Sequence, residues 1–169
     1  MKILVTGGSG FLGSNLADKL SDVGHKVTIY DLKKSKWLKK NQKMVVGDIL
    51  DTKIIEKEIK NSDIVYHFAG LSDLEEALDK PIETVKRNIL GTVNILELCK
   101  KYKIRRFIFA STIYVYSHEG GFYKSSKRAA EDYIEEYEKK YNLKYTILRF
   151  GSLYGPRSNS SNGLYKIVF

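Results

Sequence analysis

Thr112, Tyr123 and Lys127 are the residues of this chain best suited to moving a proton off an alcohol. Tyr123 and Lys127 are four apart at the start of a predicted helix, so they share one face. A tyrosine phenol ionises near pH ~10 and is a poor base at neutral pH. A nearby lysine cation stabilises the phenolate and lowers that value. Such a pair can remove a proton from a sugar hydroxyl while hydride leaves the carbon. Ser111 and Thr112 close an apolar run, where a hydroxyl can hydrogen-bond the reacting oxygen. Spacing alone is a weak signal in a chain with 12 tyrosines. Tyr30 and Lys34 also match, but they overlap the end of an earlier strand that has another task. Position after the fifth strand selects Tyr123.

Hydride needs an acceptor, and the start of the chain supplies a place for one. Thr6 to Gly13, TGGSGFLG, follows the apolar run Ile3-Leu4-Val5 and opens a helical pattern in Phe11, Leu12, Leu16 and Leu20. A strand that breaks into glycines and re-emerges as a helix aims backbone N–H groups and a helix dipole at a diphosphate. Gly7 allows the tight turn, Gly10 lets the diphosphate approach, and Gly13 lets the helix pack closely. Asp31 closes a second strand about 20 residues on, where an acid holds an adenosine ribose 2′-hydroxyl. An acid there favours NAD over NADP, and the neighbouring Lys33 and Lys34 soften that preference.

The elements that must carry these residues alternate along the chain. Strands are expected at Lys2–Thr6, Lys26–Tyr30, Lys43–Val46, Ile64–Phe68, Phe107–Ser111 and Tyr145–Phe150. Helices are expected at Phe11–Val23, Asp51–Lys60, Pro81–Lys101 and Tyr123–Tyr141, with a short one at Asp73–Leu78. The alternation implies an α/β fold: a Rossmann-type doubly wound parallel sheet, order 3-2-1-4-5-6, with helices on both faces. Gly24 fits the stop of the first helix and Pro81 the first turn of the long one. Residues 1–169 read as one dinucleotide-binding domain, with a substrate-side segment starting at about 151.

Composition narrows the partners. The formal charge of +9 invites nucleic acid, densest at Lys33 to Lys43 around Trp37. The lysines are nonetheless spread along helix surfaces and mixed with glutamate, so solvated faces are the preferred reading and no nucleic-acid partner is expected. Every apolar run is broken by charge within a few residues, so no membrane span is expected. Residues 1–6 read as a strand rather than a signal peptide. Cys99 is the single cysteine, on the apolar face of a helix, and fits core packing in a cytoplasmic protein. His67 ends a buried strand and reads as packed, while His25 and His118 read as exposed. No metal site is expected.

Taken together, the motifs resemble the extended short-chain dehydrogenase/reductase family, and within it the NAD-dependent nucleotide-sugar epimerases and dehydratases. TGGSGFLG is similar to that family's glycine motif. Gly47-Asp48-Ile49 resembles its adenine-binding corner, and His67-Phe68-Ala69-Gly70 the turn along the cofactor. PIETVKRNILGT, Pro81 to Thr92, resembles the family's long helix, with Asn88 as its structural asparagine. STIYVY, Ser111 to Tyr116, places Thr112 at the catalytic hydroxyl. Leu148 to Pro156, which includes Phe150, resembles the segment flanking the nicotinamide. The resemblance implies NAD held by Gly7, Gly10, Phe11, Leu12, Gly13, Asp31, Asp48, Ile49, Phe68, Ala69, Gly70, Asn88, Ser111, Tyr123, Lys127 and Phe150. It implies a nucleotide-diphosphate sugar as substrate, and a homodimer through the helices at 81–101 and 123–141. Tyr133, Tyr137 and Tyr141 read as packing or as part of that dimer face.

Two departures stand out. Thr112 and Tyr123 are 11 positions apart, where the family has about twice that, so Ser117–Phe122 resembles a shortened substrate-side loop. The chain also stops near residue 169, whereas the family continues into a smaller substrate domain, which is expected to be largely absent. The family's dehydratases carry an acid pair after the threonine, and its decarboxylases a glutamate two positions on. Ile113 and Tyr114 stand there and support neither. A 4-epimerase needs only Thr112, Tyr123, Lys127 and NAD, and is the leading expectation. A dehydrogenase or reductase that releases reduced cofactor, and a non-catalytic dinucleotide-binding domain, remain as rivals.

Overall fold

The computed structural model describes residues 1–158. Its strands are β1 (Lys2–Thr6), β2 (Lys26–Asp31), β3 (Gln42–Val46), β4 (Ile64–His67), β5 (Arg106–Thr112) and β6 (Tyr145–Phe150). They form one parallel sheet, ordered β3-β2-β1-β4-β5-β6. This is the expected Rossmann arrangement. The order reverses between β1 and β4, and the carboxyl ends of the strands there form the crevice where ligands bind in such sheets.

Alternation along β1 divides the core. Ile3 and Val5 face α1 (Phe11–Asp22) and pack with Ala17, Val27 and Ile29. Leu4 faces the opposite layer of α2 (Thr52–Lys60), α5 (Gly91–Lys101) and α6 (Gly121–Tyr141), with Ile59, Ile95, Phe109 and Ile134. Both faces are therefore covered, which is why the strands read as nearly continuous apolar runs.

Several boundaries differ from the sequence reading for identifiable reasons. Asp51 accepts from the Lys53 N–H at 3.1 Å and caps α2 rather than joining it. Asp73 likewise caps α3 (Leu74–Asp79) through the Glu76 N–H. The expected long helix is three segments: α4 (Pro81–Thr84), a π-helical stretch (Val85–Leu90), then α5. A π turn in a helix often marks a functional site, and Asn88 lies in it. Helix α6 begins at Gly121, so the loop after β5 is shorter still. A 3-10 turn (Ile113–Tyr116) fills its first part. Lys124 Nζ donates to the Ser117 and His118 carbonyls at 3.3 and 3.2 Å, tying the remainder back onto α6.

Two lysines of the basic stretch after β2 are held in ion pairs. Lys39 bridges Asp22 at 2.7 Å and Lys43 bridges Glu58 at 2.5 Å. Trp37 lies 5.2 Å from the Arg157 guanidinium, which in turn bonds Asp18 at 2.7 Å. No helix of the described residues is long and apolar enough to cross a membrane. Cys99 is buried, and burial pushes its thiol pKa well up.

Candidate active site

The glycine turn is shaped by contacts that leave no room for side chains. Gly7 has φ of +69°, and a methyl group there would lie 2.6 Å from the Ala69 nitrogen. A methyl on Gly13 would lie 2.3 Å from the Gly7 carbonyl oxygen and 2.8 Å from the Gly8 Cα. The first turn of α1 thus rests on the glycine turn itself. Gly10 differs. It caps α1, with no side-chain hydrogen bond at that cap, and a methyl would meet only the Gly7 oxygen at 3.4 Å. The start of α1 therefore offers free N–H groups beside an unobstructed backbone, the requirement for an anion. Phe11 and Leu12 are half-buried in its first turn.

At the end of β2 the Asp31 carboxylate accepts from the Ser9 N–H at 3.0 Å and the Lys33 N–H at 3.3 Å. It is thereby fixed against the glycine turn. Tyr30, the rival tyrosine, is fully buried, and its hydroxyl donates to the Asp48 carbonyl at 3.0 Å. Burial pushes its phenol up to about 12, so it is a structural group. Asp48 accepts from the Leu50 N–H at 2.9 Å and twice from Arg87 at 2.7 and 2.6 Å. Burial would raise its carboxyl pKa, but those bonds outweigh it and hold the value below the ordinary one. Ile49 is buried against Gly91 and can offer a ligand only its backbone.

Beneath the turn after β4 runs a buried chain of hydrogen bonds. Thr6 Oγ1 and His67 Nδ1 are 2.7 Å apart, His67 Nε2 and Thr92 Oγ1 are 3.1 Å apart, and Thr92 Oγ1 donates to the Asn88 carbonyl at 2.7 Å. Donor counting fixes the direction. Thr92 has spent its only proton, so His67 Nε2–H must donate to it, and Nδ1 must accept from Thr6. The Asn88 side chain continues the chain: Oδ1 accepts from the Leu71 N–H at 2.7 Å, and Nδ2 donates to the Leu71 carbonyl and Ser126 Oγ, each at 2.9 Å. Its amide is thus committed to the wall of the site. Burial, followed by the nearby Lys127 charge, lowers His67 to about 3.

That depression has a consequence in acid. The folded value lies below the ordinary histidine value of 6.5, so the unfolded chain takes the proton first. The stabilisation is full above pH 6.5 and is lost as pH falls towards 3. Denaturation titrations should show a slope approaching ~1.4 kcal/mol per pH unit from this one group, and His67→Gln should remove that part of the slope. An unchanged slope in the variant would contradict the buried neutral imidazole.

The remaining site residues gather at the ends of β5 and β6. Lys127, 5% exposed, donates to the Ala110 carbonyl at 2.8 Å and lies 4.7 Å from the Phe109 ring centre and 5.9 Å from that of Tyr123. Its ammonium is 3.9 Å from where a Gly70 methyl would sit, which brings the turn after β4 beside Lys127. Thr112 Oγ1 accepts from the Tyr114 N–H at 3.2 Å, leaving its proton to give. Ser111 Oγ is buried and, among the described residues, has no hydrogen-bond partner. Phe150 packs edge-on against Phe68 at 6.3 Å. Burial lowers Lys127 to about 8, with Glu131 opposing. For Tyr123, burial raises the phenol and the Thr112 hydroxyl lowers it, with a net rise. The sequence reading expected lysine to lower it; here the lowering comes from the Thr112 hydroxyl, and desolvation of the phenol outweighs it.

The glycine turn, Asp31, the Asp48 corner and the group of Thr112, Tyr123 and Lys127 thus lie on the side of the sheet where the parallel strands end. The model of the NAD dependent epimerase/dehydratase family matches residues 3–168. The chain belongs to that family. A putative UDP-glucose 4-epimerase of Methanocaldococcus jannaschii is 33% identical over 93% of this chain and 57% of its own length. The crystal structure of UDP-glucose 4-epimerase with UDP-glucose from Thermotoga maritima superposes with a TM-score of 0.91 at 31% identity, covering 99% of this chain and 61% of that one. The Thermus thermophilus UDP-glucose 4-epimerase complex with NAD gives 0.88 at 31% identity, covering 96% and 59%. The chain therefore spans somewhat more than half the length of these family members.

Sequence reasoning missed Ser9, Arg87, Glu131 and Arg149. Glu131 was legible in part, being four residues beyond Lys127 on the same helical face. The pairing of Asp48 with Arg87 joins residues far apart in sequence and had no local signal.

Proposed function

We propose that this chain binds NAD and serves a nucleotide-sugar 4-epimerase, with Tyr123, Lys127 and Thr112 as its acid–base group. The observation that carries this reading is the position of Lys127: anchored on Ala110, beside Gly70 and one turn from Tyr123. One lysine thereby adjoins both the cofactor turn and the base. The open backbone at Gly10, the fixed Asp31 and the unpartnered Ser111 hydroxyl fit a bound dinucleotide.

Gly7 to Gly13 would hold the diphosphate, Asp31 the adenosine ribose, Asp48 and the Ile49 backbone the adenine, and Phe68 to Gly70 with Phe150 the nicotinamide side. When bound, NAD accepts a hydride from the sugar and returns it. Tyr123 takes the proton from the sugar 4-hydroxyl and later gives it back. Thr112 donates its free proton to orient that oxygen. Lys127 supplies the positive charge that lets the phenol release its proton despite burial. Positioning of the reactants by these residues supplies much of the rate. Ile113 and Tyr114 place no carboxyl group after Thr112, which favours epimerisation over the dehydratase chemistry of the same family. A second copy of the chain is the partner in this reading, through the helices at 81–101 and 121–141, where Ile82, Val85, Leu90 and Tyr133 are exposed.

Calorimetric titration with NAD and NADP tests the cofactor part. NAD should bind more tightly. Asp31→Ala should weaken NAD about tenfold, one charge-assisted hydrogen bond, and narrow the gap to NADP. An unchanged ratio would remove Asp31 from the ribose site.

A further inference from the structure

Glu131 lies one helical turn beyond Lys127 and is 1% exposed. A carboxylate that deep needs partners. Arg149 of β6 supplies them: Nε at 3.0 and 3.2 Å and Nη2 at 2.7 Å. The outer side of Arg149 meets Tyr116, whose hydroxyl accepts from Nη1 and whose ring centre lies 4.8 Å from the guanidinium carbon. Tyr116 ends the 3-10 turn that begins directly after Thr112 and is 70% exposed. On the inner side, Lys127 donates to the Ala110 carbonyl and has no ion-pair partner among the described residues. One buried carboxylate therefore pairs with one cation, Arg149, and lies one helical turn from a second, Lys127.

We propose that Glu131 is a positioning residue that acts through Lys127: held by Arg149, it supplies the counter-charge that keeps the buried ammonium charged, while Tyr116 fastens the segment after Thr112 to the same ion pair. The role rests on the acid–base reading above, but the arrangement can be measured without turnover. The titratable groups around Lys127 are few. Tyr123 and Glu131 share its helix, neutral His67 faces it from β4, Arg149 stands behind Glu131 on β6, and Tyr114 lies towards Tyr123. Glu131 is the group among them that raises Lys127.

The test is the titration of Lys127 followed by NMR of Cε-labelled lysine, with the signal assigned from Lys127→Arg. Glu131→Gln should move the midpoint down by on the order of one pH unit. Arg149→Gln frees the Glu131 charge and should move it up. Glu131→Asp, which keeps the charge, should move it less than Glu131→Gln. A general loosening of the fold would move the first two variants the same way, and that result would overturn the proposal. So would an unmoved midpoint in Glu131→Gln. If Glu131→Gln does not fold, Arg149→Gln decides alone, and the absence of an upward shift refutes the proposal. Should Tyr123 prove dispensable for turnover, the acid–base reading fails while this titration still reports on Glu131.

Discussion

Tyr123→Phe is expected to lower turnover of a nucleotide sugar by roughly 10²- to 10⁴-fold, the usual worth of a positioned acid or base. NAD affinity should change by less than about threefold, since the residues proposed for the diphosphate and the adenosine ribose, Gly7 to Gly13 and Asp31, lie apart from the phenol and keep their side chains. The substitution removes one oxygen and keeps the ring that Lys127 faces at 5.9 Å, so the fold should survive. Thr112→Val should lose less, because Thr112 orients the reacting oxygen but does not hold its proton. Turnover in Tyr123→Phe close to that of the parent would remove the base from the mechanism.

The second large effect is a contrast between two glycines three residues apart. Gly13→Ala forces a methyl to 2.3 Å from the Gly7 oxygen, 2.8 Å from the Gly8 Cα and 2.9 Å from the Gly7 carbonyl carbon. All three are backbone atoms, so no rotamer relieves the clash. Overpacking of this kind costs ~1–3 kcal/mol, roughly 2–12 °C in Tm for a chain of this size. The same displacement moves the N–H groups that would face the diphosphate, so NAD affinity should fall more than about tenfold. Gly10→Ala meets only the Gly7 oxygen at 3.4 Å. Its Tm should stay within about 2 °C of the parent, yet NAD binding should be lost to a similar extent, because the methyl occupies the diphosphate's approach. Calorimetry and thermal melts on both variants check this. Equal thermal effects would contradict the division between a packing glycine and a ligand glycine.

The fold was readable because a parallel sheet buried on both faces writes itself as alternating apolar runs and amphipathic segments. Ile3-Leu4-Val5 and Phe107 to Phe109 needed no further context. Helix starts were misplaced by one residue where Asp51 and Asp73 act as caps, since a cap reads like a first helical residue. The π-helical stretch was invisible: its altered hydrogen bonding leaves no mark on the apolar spacing of Val85 to Leu90. At the site, the glycine turn and Asp31 announced themselves through local spacing. The buried chain from Thr6 through His67 and Thr92 to Asn88 did not, because its links from β1 to β4 and from β4 to α5 join residues 61 and 25 apart in sequence. His67 read as packing from its place on a strand. The structure adds its tautomer and its link to Ser126, whose hydroxyl donates to the Tyr123 carbonyl at 2.8 Å.

In the proposed reaction Tyr123 deprotonates a sugar hydroxyl while the hydride from the same carbon leaves and returns. A UDP-sugar deuterated at C4, incubated with the protein and NAD, tests it most directly. Conversion to the 4-epimer with deuterium still at C4, and no net reduction of the cofactor, is the predicted result. One equivalent of reduced cofactor per sugar consumed, with a keto-sugar product, would contradict it.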